Sequence, residues 1–591
     1  MKKCISILLA CCAIAGETAA MEGSLSQRIT LKTPGNRAVT YNLRETAEGG
    51  GGILEADRRL PLTVRRQKTE TDDEIRIVLT LTADDLLYYN VEQSFHTGLA
   101  HENCLFYMPG FWYRKNLRSP ESAPSFHTGD SWQVREDRLS TPLTGIYDER
   151  SGTYYTVLRT DTPDCEALAC HNYGEVILSG KTSLGFTGFR NADAHAALVF
   201  GFPYCEVPKS YVRKLTLAPA VRAFEKLEKG ETRRLTWTIR KGASPSYSSF
   251  VAEVWNDSFD TLDPRPVSPR HTPDEAKAIL SEYFSRSYVG KYPLKFTSGV
   301  ELRTADCEST DIAEVGFVGR VLLNAFNALE YAEANGREQL AAEARSIFDS
   351  YLRYGFTPGG LIREVVDFKR EREADVYSIR RQSEGLYALL NYLDYEKRHG
   401  RSHPRWEARI RTLLEKFRTL QNPDGSFPRK FRDNLTVVDA SGGSTPSATL
   451  PLTMACAYFG DEAYRRSAVR TADYLEKNLI SKADYFSSTL DANCEDKEAS
   501  LYAATAMYYL TFISEGAERQ RYVDLCREAA YFALSWYYLW DVPFAQGQML
   551  GDVGFRSRGW GNVSVENNHV DVFIFEFATV LDFLADTCGE P

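Results

Sequence analysis

Two hydrophobic periods divide the chain. Between residues 21 and about 265, apolar and polar positions alternate in short runs such as RITLKT, EIRIVLTLTA, TYYTVLRTD and TRRLTWTI. Turn-forming stretches such as DERSG and LSGKTS separate these runs. A period of two with frequent turns is typical of β-strands. The pattern predicts an N-terminal antiparallel β-sandwich over residues 21–265.

From residue 266 to 591 the period lengthens to that of a helix. Four segments carry one apolar stripe and one charged face: REQLAAEARSIFDSYLRY, PRWEARIRTLLEKFRTL, DEAYRRSAVRTADYLEKNL and GAERQRYVDLCREAAYFALSWYY. Five others are apolar almost all round: IAEVGFVGRVLLNAFNAL, SEGLYALLNYLDY, TPSATLPLTMACAYF, EASLYAATAMYYLTFI and HVDVFIFEFATVLDFLA. Helices of the first kind lie at a surface and those of the second are buried on both sides. The alternation favours an inner ring of helices wrapped by an outer ring, an (α/α)5–6 toroid, over an ordinary helical bundle.

A long aromatic segment interrupts the β half. Residues 105–142 are too many for a hairpin loop, and long excursions of this kind are often functional. Trp112, Tyr113 and Trp132 lie in this segment, and Trp560 lies in the helical half. We expect these rings to stack on sugar faces.

The N-terminus is typical of an export signal. Lys2 and Lys3 precede the apolar stretch CISILLACCAIAG, and ETAA offers small residues for a cut after Ala20. Residues 1–20 are therefore predicted to direct secretion across the inner membrane, to the periplasm. A lipoprotein cut before Cys11, after LLA, is the less favoured alternative because the apolar stretch ahead of it is brief.

Composition excludes several functional classes. The net charge of −10 argues against a nucleic-acid or anionic-membrane binder. No stretch after the signal reaches the roughly 18 uncharged apolar residues that a membrane span needs. Neither an HExxH motif nor a pair of CxxC motifs occurs, so no metal site and no cofactor are predicted.

The starts of the buried helices are expected to converge at one end of the ring. The segments there are CESTDIAE, DVYSIRRQSEG, DASGGSTPSATLP, LDANCEDKEAS and RGWGNVSVENNHVDV. The connections at the other end, EANGRE, EKRHGRSHP, FGDEA and SEGAE, contain little beyond turn residues. One mouth is thus polar, acidic and aromatic, and we predict a substrate cavity there.

Paired carboxylates at this mouth suggest glycoside hydrolysis. That reaction needs one carboxylic acid to protonate the leaving oxygen and one carboxylate to activate water or attack the sugar carbon. Glu384 is the first candidate, and its partner is expected among the acids of residues 491–498, with Asp496 or Glu498 favoured. The alternative is helix capping, with Asn493 as the N-cap and Asp496 three residues later, as in a capping box.

Cations and polar groups at the mouth suggest an acidic substrate. Arg380, Arg381 and Lys497 lie near the candidate acids, as do Arg429, Lys430, Arg556 and Arg558. A guanidinium matches a carboxylate bidentately, which suits a uronic acid. The alternative is that these cations neutralise neighbouring acids. Gln382, Asn568 and His569 are candidate hydrogen-bond partners for sugar hydroxyls.

Three segments carry a resemblance to known enzymes: RRQSEGLYALL, LQNPDGSFP and NNHVDVFIFEF. With the two-part organisation, the chain resembles bacterial carbohydrate-active enzymes that have an N-terminal β-sandwich and a C-terminal (α/α)6 toroid. Among these, glycoside hydrolase family 154, which acts on β-linked glucuronic acid, is the family that it resembles. The resemblance implies an exo-acting, glucuronidase-like glycoside hydrolase whose partner is an oligosaccharide or polysaccharide.

Two other functions remain open. A toroidal polysaccharide lyase would cleave a uronate by β-elimination, with Tyr377 or His569 as base and Arg380 and Arg381 neutralising the sugar carboxylate. A non-catalytic glycan-binding protein would keep the fold without aligned acids. Sugar 2-epimerases are disfavoured because they use a pair of histidines at the mouth, whereas His399 and His403 fall at the opposite end.

Overall fold

The computed structural model describes residues 23–46, 52–167, 173–297, 300–301, 308–316, 321–487 and 493–589. The predicted signal, residues 1–20, and the candidate acid Asp491 lie outside the described residues.

The N-terminal part is rich in strands, as predicted. Its strands are β1 (Ser24–Lys32), β2 (Val39–Glu45), β3 (Ile53–Glu55), β4 (Leu62–Glu70), β5 (Glu74–Ala83), β6 (Leu87–Ala100), β7 (Cys104–Met108), β8 (Trp112–Arg114), β9 (Trp132–Arg135), β10 (Leu143–Asp148), β11 (Thr153–Arg159), β12 (Gly174–Ile177), β13 (Phe186–Ala192), β14 (His195–Phe202), β15 (Cys205–Arg213), β16 (Thr216–Leu227) and β17 (Thr232–Ala243).

Helices dominate the rest of the chain. They are α1 (Tyr247–Leu262), α2 (Pro273–Ser287), α3 (Val321–Ala334), α4 (Glu338–Tyr354), α5 (Ile379–Arg398), α6 (Pro404–Leu420), α7 (Thr445–Phe459), α8 (Glu462–Leu475), α9 (Lys497–Leu510), α10 (Gly516–Leu534), α11 (Met549–Asp552) and α12 (Phe577–Cys588). Short strands lie between them: β18 (Val300–Glu301), β19 (Glu308–Ser309), β20 (Ile312–Glu314), β21 (Val365–Asp367), β22 (Arg372–Glu373), β23 (Tyr377–Ser378), β24 (Lys430–Phe431), β25 (Val437–Asp439), β26 (Gly561–Asn562) and β27 (Val570–Asp571).

The long strands pair in two antiparallel series. One runs β2–β1–β6–β14–β13–β9, with Ile29 opposite Val91 in the β1–β6 register. The other runs β3–β4–β5–β17–β11–β10–β7–β8. The β12–β16 pair is parallel. Alternate residues of each strand face inward, which explains the period of two in the sequence.

Both series contribute to one apolar core. The ring of Phe200 lies 5.4 Å from that of Trp237, and Phe95 lies 5.5 Å from Tyr155. Each of these pairs joins a strand of one series to a strand of the other. The β-rich part is therefore stabilised by burial of large aromatic and aliphatic side chains between its strands.

The helical part begins earlier than residue 266. Helix α1 starts at Tyr247, where the Ser246 hydroxyl accepts a hydrogen bond from the Ser249 amide. Tyr247, Phe250, Val251 and Val254 form a buried apolar stripe on α1, but the prolines that follow the helix led the sequence pattern to place the boundary at residue 266. Helix α2 does start at the predicted TPDEA sequence, with Thr272 and Glu275 forming a capping box.

The predicted buried helices are neighbours in space. Helices α3, α5, α7 and α9 pack side by side in chain order, and α12 packs against α9. The amphipathic helices α4, α6, α8 and α10 each pack against the buried helix that precedes them. Alternate burial along the sequence therefore corresponds to an inner and an outer set of helices. No helix of the described residues is long and apolar enough to cross a membrane.

Two of the predicted buried helices are shorter than expected. In IAEVGFVGRVLLNAFNAL, residues 312–314 form β20, and α3 begins at Val321. HVDVFIFEF was predicted to be helical, but β27 and an irregular segment occupy residues 570–576 and α12 begins at Phe577. Val572 and Ile574 are exposed there. The alternating, β-branched pattern of VDVFI suits an extended chain better than a helix, and the prediction was wrong for this segment.

Candidate active site

The N-terminal turn of α5 brings a buried arginine against a buried glutamate. Helix α5 starts after Ser378, whose hydroxyl accepts a hydrogen bond from the Arg381 amide. Arg380 and Glu384 are four residues apart, so they lie on the same face of the helix. Arg380 Nε donates to Glu384 Oε1 over 2.9 Å. Arg380 is 0% exposed and Glu384 is 6% exposed, so their charges depend on each other.

Helix α9 adds a second acid to the same arginine. Arg380 Nη1 forms an ion pair with Glu498 Oε2, and Glu498 is 3% exposed. The Tyr502 hydroxyl, one turn further along α9, donates to Glu384 Oε1. Arg380 thus bridges Glu384 and Glu498. Both were predicted from the sequence as candidate acids, and they lie on helices that are more than 100 residues apart in the chain. We call Arg380, Glu384, Glu498 and Tyr502 the Arg380 cluster.

Glu384 also lines a small cavity. The cavity measures about 10 Å³, room for about one water molecule. Its lining is Val315, Gly316, Leu322, Leu323, Glu384, Gly385, Tyr387 and Phe575. A Cβ atom on Gly316 would lie 2.9 Å from Glu384 Oε2, and Gly316 has a φ of +72°. Glycine is therefore required there both by its backbone conformation and by its approach to the carboxylate.

Arg381 holds a third acid beside this cavity. Its Nη2 forms an ion pair with Glu314 Oε1 at the end of β20. The pKa of Glu314 lies above its usual value. Burial raises this pKa most, the Arg381 charge lowers it, and the Glu384 charge raises it. Glu314 was not among the candidate residues predicted from the sequence. The predicted mouth segment CESTDIAE nevertheless ends with this residue.

Gln382 has a structural role in the described contacts. Its amide nitrogen donates to Ile362 O over 2.7 Å and to Glu364 Oε1 over 2.9 Å, and its oxygen accepts from the Ile362 amide. Burial raises the pKa of Glu364 to about 7. The sequence did not single out Glu364, which contributes a fourth carboxyl group around Arg380 and Arg381.

Asp496 caps α9. Its Oδ1 accepts a hydrogen bond from the Ala499 amide over 2.6 Å, so Asp496 is the N-cap, and Asn493, proposed for that role, precedes the helix. Lys497 Nζ forms an ion pair with Asp571 Oδ2 at 2.7 Å and is 0% exposed. Among the described acids at this helix start, Glu498 forms the ion pair with Arg380.

Glu495, next to the cap, has a strongly perturbed carboxyl group. Burial raises its pKa to about 8. The Ser119 hydroxyl of the 105–142 segment donates to Glu495 Oε2 over 3.4 Å, and Arg118 pairs with Asp484 nearby. Glu495 therefore lies where the β-rich part contacts the helices and keeps its proton at neutral pH.

Glu495→Gln should make the protein more stable than wild type, and this difference in free energy of unfolding should grow as the pH rises from about 4.5 to about 8. In this interval the folded protein holds a proton that the unfolded chain releases, so wild-type stability falls as the pH rises. The variant has no such proton, and its advantage in free energy of unfolding should grow by roughly 5 kcal/mol across the interval. Urea unfolding at both ends of the interval measures this difference. Glu282→Gln, an exposed glutamate of α2, should show no such dependence, and a parallel pH response of the two variants would contradict the prediction.

The aromatic residues of the 105–142 segment are inside the protein. Trp112, Tyr113 and Trp132 are each 0% exposed. The two tryptophan rings lie 5.4 Å apart, and the Tyr113 hydroxyl lies 2.8 Å from Ser535 Oγ in the helical part. Tyr113 joins the β-rich part to the helices, whereas Trp112 and Trp132 pack in the core of the β-rich part. None of the three rings has a surface on which a sugar could stack.

The remaining nominated polar residues lie apart from the Arg380 cluster in their described contacts. Asn568 Nδ2 donates to Gly110 O and Arg138 O, which ties it to the β-rich part. His569 is exposed, with Nδ1 3.1 Å from Asn567 Oδ1. Trp560 is 36% exposed and packs edge-on against Phe555. Trp560 is the one aromatic candidate with a substantial exposed surface.

Carboxylates accompany the cations of this region. Arg429 pairs with Asp439, and both Arg556 and Arg558 pair with Asp541. The described contacts of these arginines match the alternative in which cations neutralise neighbouring acids. Within the described residues, no three His, Cys, Asp or Glu side chains group in a way that could hold a metal ion.

Comparisons with known proteins give structural neighbours only. No protein-family model matches the sequence, and no curated protein matches it. Among solved structures, a polysaccharide lyase aligns over 95% of this chain and 91% of its own, with 9% identity and a TM-score of 0.39. An unsaturated glucuronyl hydrolase from Bacillus sp. GL1 covers 58% of this chain and 85% of its own, with 13% identity and a TM-score of 0.35. The cellobiose 2-epimerase of Spirochaeta thermophila covers 58% and 86%, with 14% identity and a TM-score of 0.39. These neighbours are carbohydrate-processing enzymes of three different reaction types.

Proposed function

We propose that this protein is an exported, exo-acting glycoside hydrolase that removes a uronic acid from an acidic glycan. We further propose that its two parts are a β-sandwich and an (α/α)6-type toroid, with the active site at the mouth where the inner helices begin. The observation that carries the catalytic proposal is the environment of Glu384: Arg380 and Tyr502 hold one carboxylate oxygen, and the residue also lines a water-sized cavity.

This environment suits a general base. A guanidinium and a hydroxyl that donate to the same oxygen stabilise the negative charge of the carboxylate and fix its orientation. The second oxygen then accepts a proton from a water molecule in the cavity, and that water attacks the anomeric carbon. The glycosidic bond breaks as the leaving oxygen takes a proton from an acid, so the product sugar has the inverted configuration.

Glu498 supports Glu384 at a distance. It shares the guanidinium of Arg380 with Glu384, and it is itself buried. We assign it a positioning role: its charge keeps Arg380 in place, and Arg380 keeps Glu384 aligned.

The lyase alternative has less support. Its proposed base Tyr377 is 3% exposed, and burial raises the pKa of its hydroxyl to about 12, too high for a base at neutral pH. Its proposed uronate partner Arg380 is fully buried and contacts two glutamates. Neither Tyr377 nor Arg380 is placed to meet a sugar, whereas the other two residues of this alternative are accessible: His569 is exposed and the Arg381 side chain is 11% exposed.

Product analysis tests the reaction type. The protein is incubated with 4-nitrophenyl β-D-glucuronide, with the neutral 4-nitrophenyl β-D-glucoside as control, and with acidic oligosaccharides. We expect nitrophenol release from the glucuronide, much slower release from the glucoside, and a saturated uronic acid of inverted configuration by NMR. A product with a new ultraviolet-absorbing double bond would indicate elimination, and retention of the oligosaccharides without products would indicate a binding protein.

A further inference from the structure

Glu314 directly precedes Val315 and Gly316, two residues that line the small cavity at Glu384. It ends strand β20, where it pairs with Val365 of β21. The next residue, Val315, donates its amide hydrogen to Glu364 O over 2.8 Å, and Gly316 follows at the edge of the cavity. A Cβ atom on Gly316 would lie 2.9 Å from Glu384 Oε2, so Glu314 is two residues from a position that approaches this oxygen closely.

Two adjacent arginines hold the two acids separately. Arg380 faces the interior of the helical part and holds Glu384, whereas Arg381 pairs with Glu314 and is 11% exposed at its side chain. The Glu314 side chain is 19% exposed, more than Glu384 or Glu498. Glu314 is thus the acid of this group with access to a molecule that enters from outside.

The charge balance of the region favours a retained proton. Four carboxyl groups, those of Glu314, Glu364, Glu384 and Glu498, surround the two guanidinium groups of Arg380 and Arg381. If every carboxyl group were ionised, the region would carry two uncompensated negative charges in a poorly solvated space. Burial and the Glu384 charge both raise the pKa of Glu314, against the Arg381 charge, which lowers it.

We propose that Glu314, whose carboxyl group is close enough to Glu384 to feel its charge, is the proton donor of the reaction. This inference rests on the proposed function. As water attacks the anomeric carbon and Glu384 takes its proton, Glu314 gives a proton to the glycosidic oxygen, and the bond from that oxygen to the anomeric carbon breaks. The two glutamates exchange protonation states, and solvent restores them after the product leaves.

The same arrangement explains how an arginine becomes available to an acidic sugar. While Glu314 keeps its proton, its side chain is neutral and does not balance the positive charge of the Arg381 guanidinium. Its Nε is buried and has no hydrogen-bond partner within the described part of the chain. A carboxylate on the substrate, next to the bond to be broken, fits this donor.

Leaving-group dependence tests the role of Glu314. A 4-nitrophenolate leaves without a proton, whereas a methoxide needs one. Glu314→Gln should therefore hydrolyse 4-nitrophenyl β-D-glucuronide within a few-fold of wild type but lose about 10²–10⁴-fold in kcat/KM on methyl β-D-glucuronide. On the methyl glycoside, the variant should also lose the alkaline limb of the wild-type pH profile.

The control is Glu373→Gln, the same change at an exposed position in the same small sheet, which should leave both substrates unaffected. Equal loss on both glucuronides, or no loss on either, would overturn the assignment of Glu314. A second outcome separates the two assignments. If Glu314→Gln loses activity only on the methyl glucuronide but Glu384→Gln remains active, Glu384 is not the base, and the proposed function fails. The assignment of Glu314 as proton donor then still stands. If the glutamine variant does not fold, Glu314→Asp should show a steeper dependence of kcat/KM on leaving-group pKa than wild type, and an unchanged dependence would overturn the proposal.

Discussion

Glu384→Gln should lower kcat/KM by about 10²–10⁴-fold on every glycoside that the protein cleaves. Glutamine keeps the shape of glutamate and still accepts hydrogen bonds from Arg380 and Tyr502, but it cannot take a proton from water. Because the base is needed whatever the leaving group, the loss should be similar for nitrophenyl and methyl glucuronides. Initial rates on both substrates, with circular dichroism to check the fold, measure this effect.

The control for this variant lies on the same helix. Glu396 is buried near the C-terminal end of α5, where it pairs with Arg401 and His403, far from the cavity. Glu396→Gln loses these ion pairs and should reduce stability while leaving kcat/KM close to that of wild type. Comparable activity in the folded Glu384 variant and in wild type would reassign Glu384 to a structural role and remove the basis of the proposed function.

Arg380→Met should destabilise the protein by about 3–5 kcal/mol, because it leaves Glu384 and Glu498 buried without their shared cation. Methionine fills much of the space of the arginine stem, so most of the effect comes from the uncompensated charges. Adding Glu498→Gln to this variant should recover part of the loss, since one buried negative charge is then removed. Urea unfolding of the single and double variants at neutral pH measures both steps.

A surface arginine provides the comparison. Arg398 lies on the same helix and pairs with Asp394, but both side chains are mostly exposed. Arg398→Met should change the free energy of unfolding by less than about 1 kcal/mol, as is usual for an exposed ion pair. If Arg380→Met and Arg398→Met unfolded at the same urea concentration, the Arg380 cluster would not be the buried electrostatic unit described above.

Local sequence patterns identified most of the secondary structure. Alternation of apolar residues predicted the strands of the N-terminal part, and the helical period predicted α4, α6, α8 and α10. These predictions succeed because the period of an element reflects which of its own side chains face inward. They failed at residues 570–576, where an apolar run was extended instead of helical, because high hydrophobicity indicates burial in either conformation.

The site was predictable in part. The starts of the predicted buried helices indicated Glu384 and Glu498 as candidate acids. They also indicated Arg380 and Arg381 as candidate partners of an acidic sugar. The sequence did not distinguish Asp496, which caps α9, from Glu498, which contacts Arg380, because both acids suit the first turn of a helix. Glu314 was missed because the apolar pattern placed it inside the predicted helix IAEVGFVGRVLLNAFNAL, whereas it ends strand β20.

What the sequence by itself determined is the order of the parts, a β-rich region followed by a helical one, and the concentration of charge at the starts of the buried helices. Only the tertiary structure decided which charges meet. The contact of Arg380 with Glu498 joins positions 118 residues apart, and its formation depends on how α5 packs beside α9. The burial of Trp112 and Trp132 was decided in the same way, by the packing of distant strands. Local propensity acts over a few residues, whereas burial and ion pairing depend on surfaces that exist only once the chain has folded.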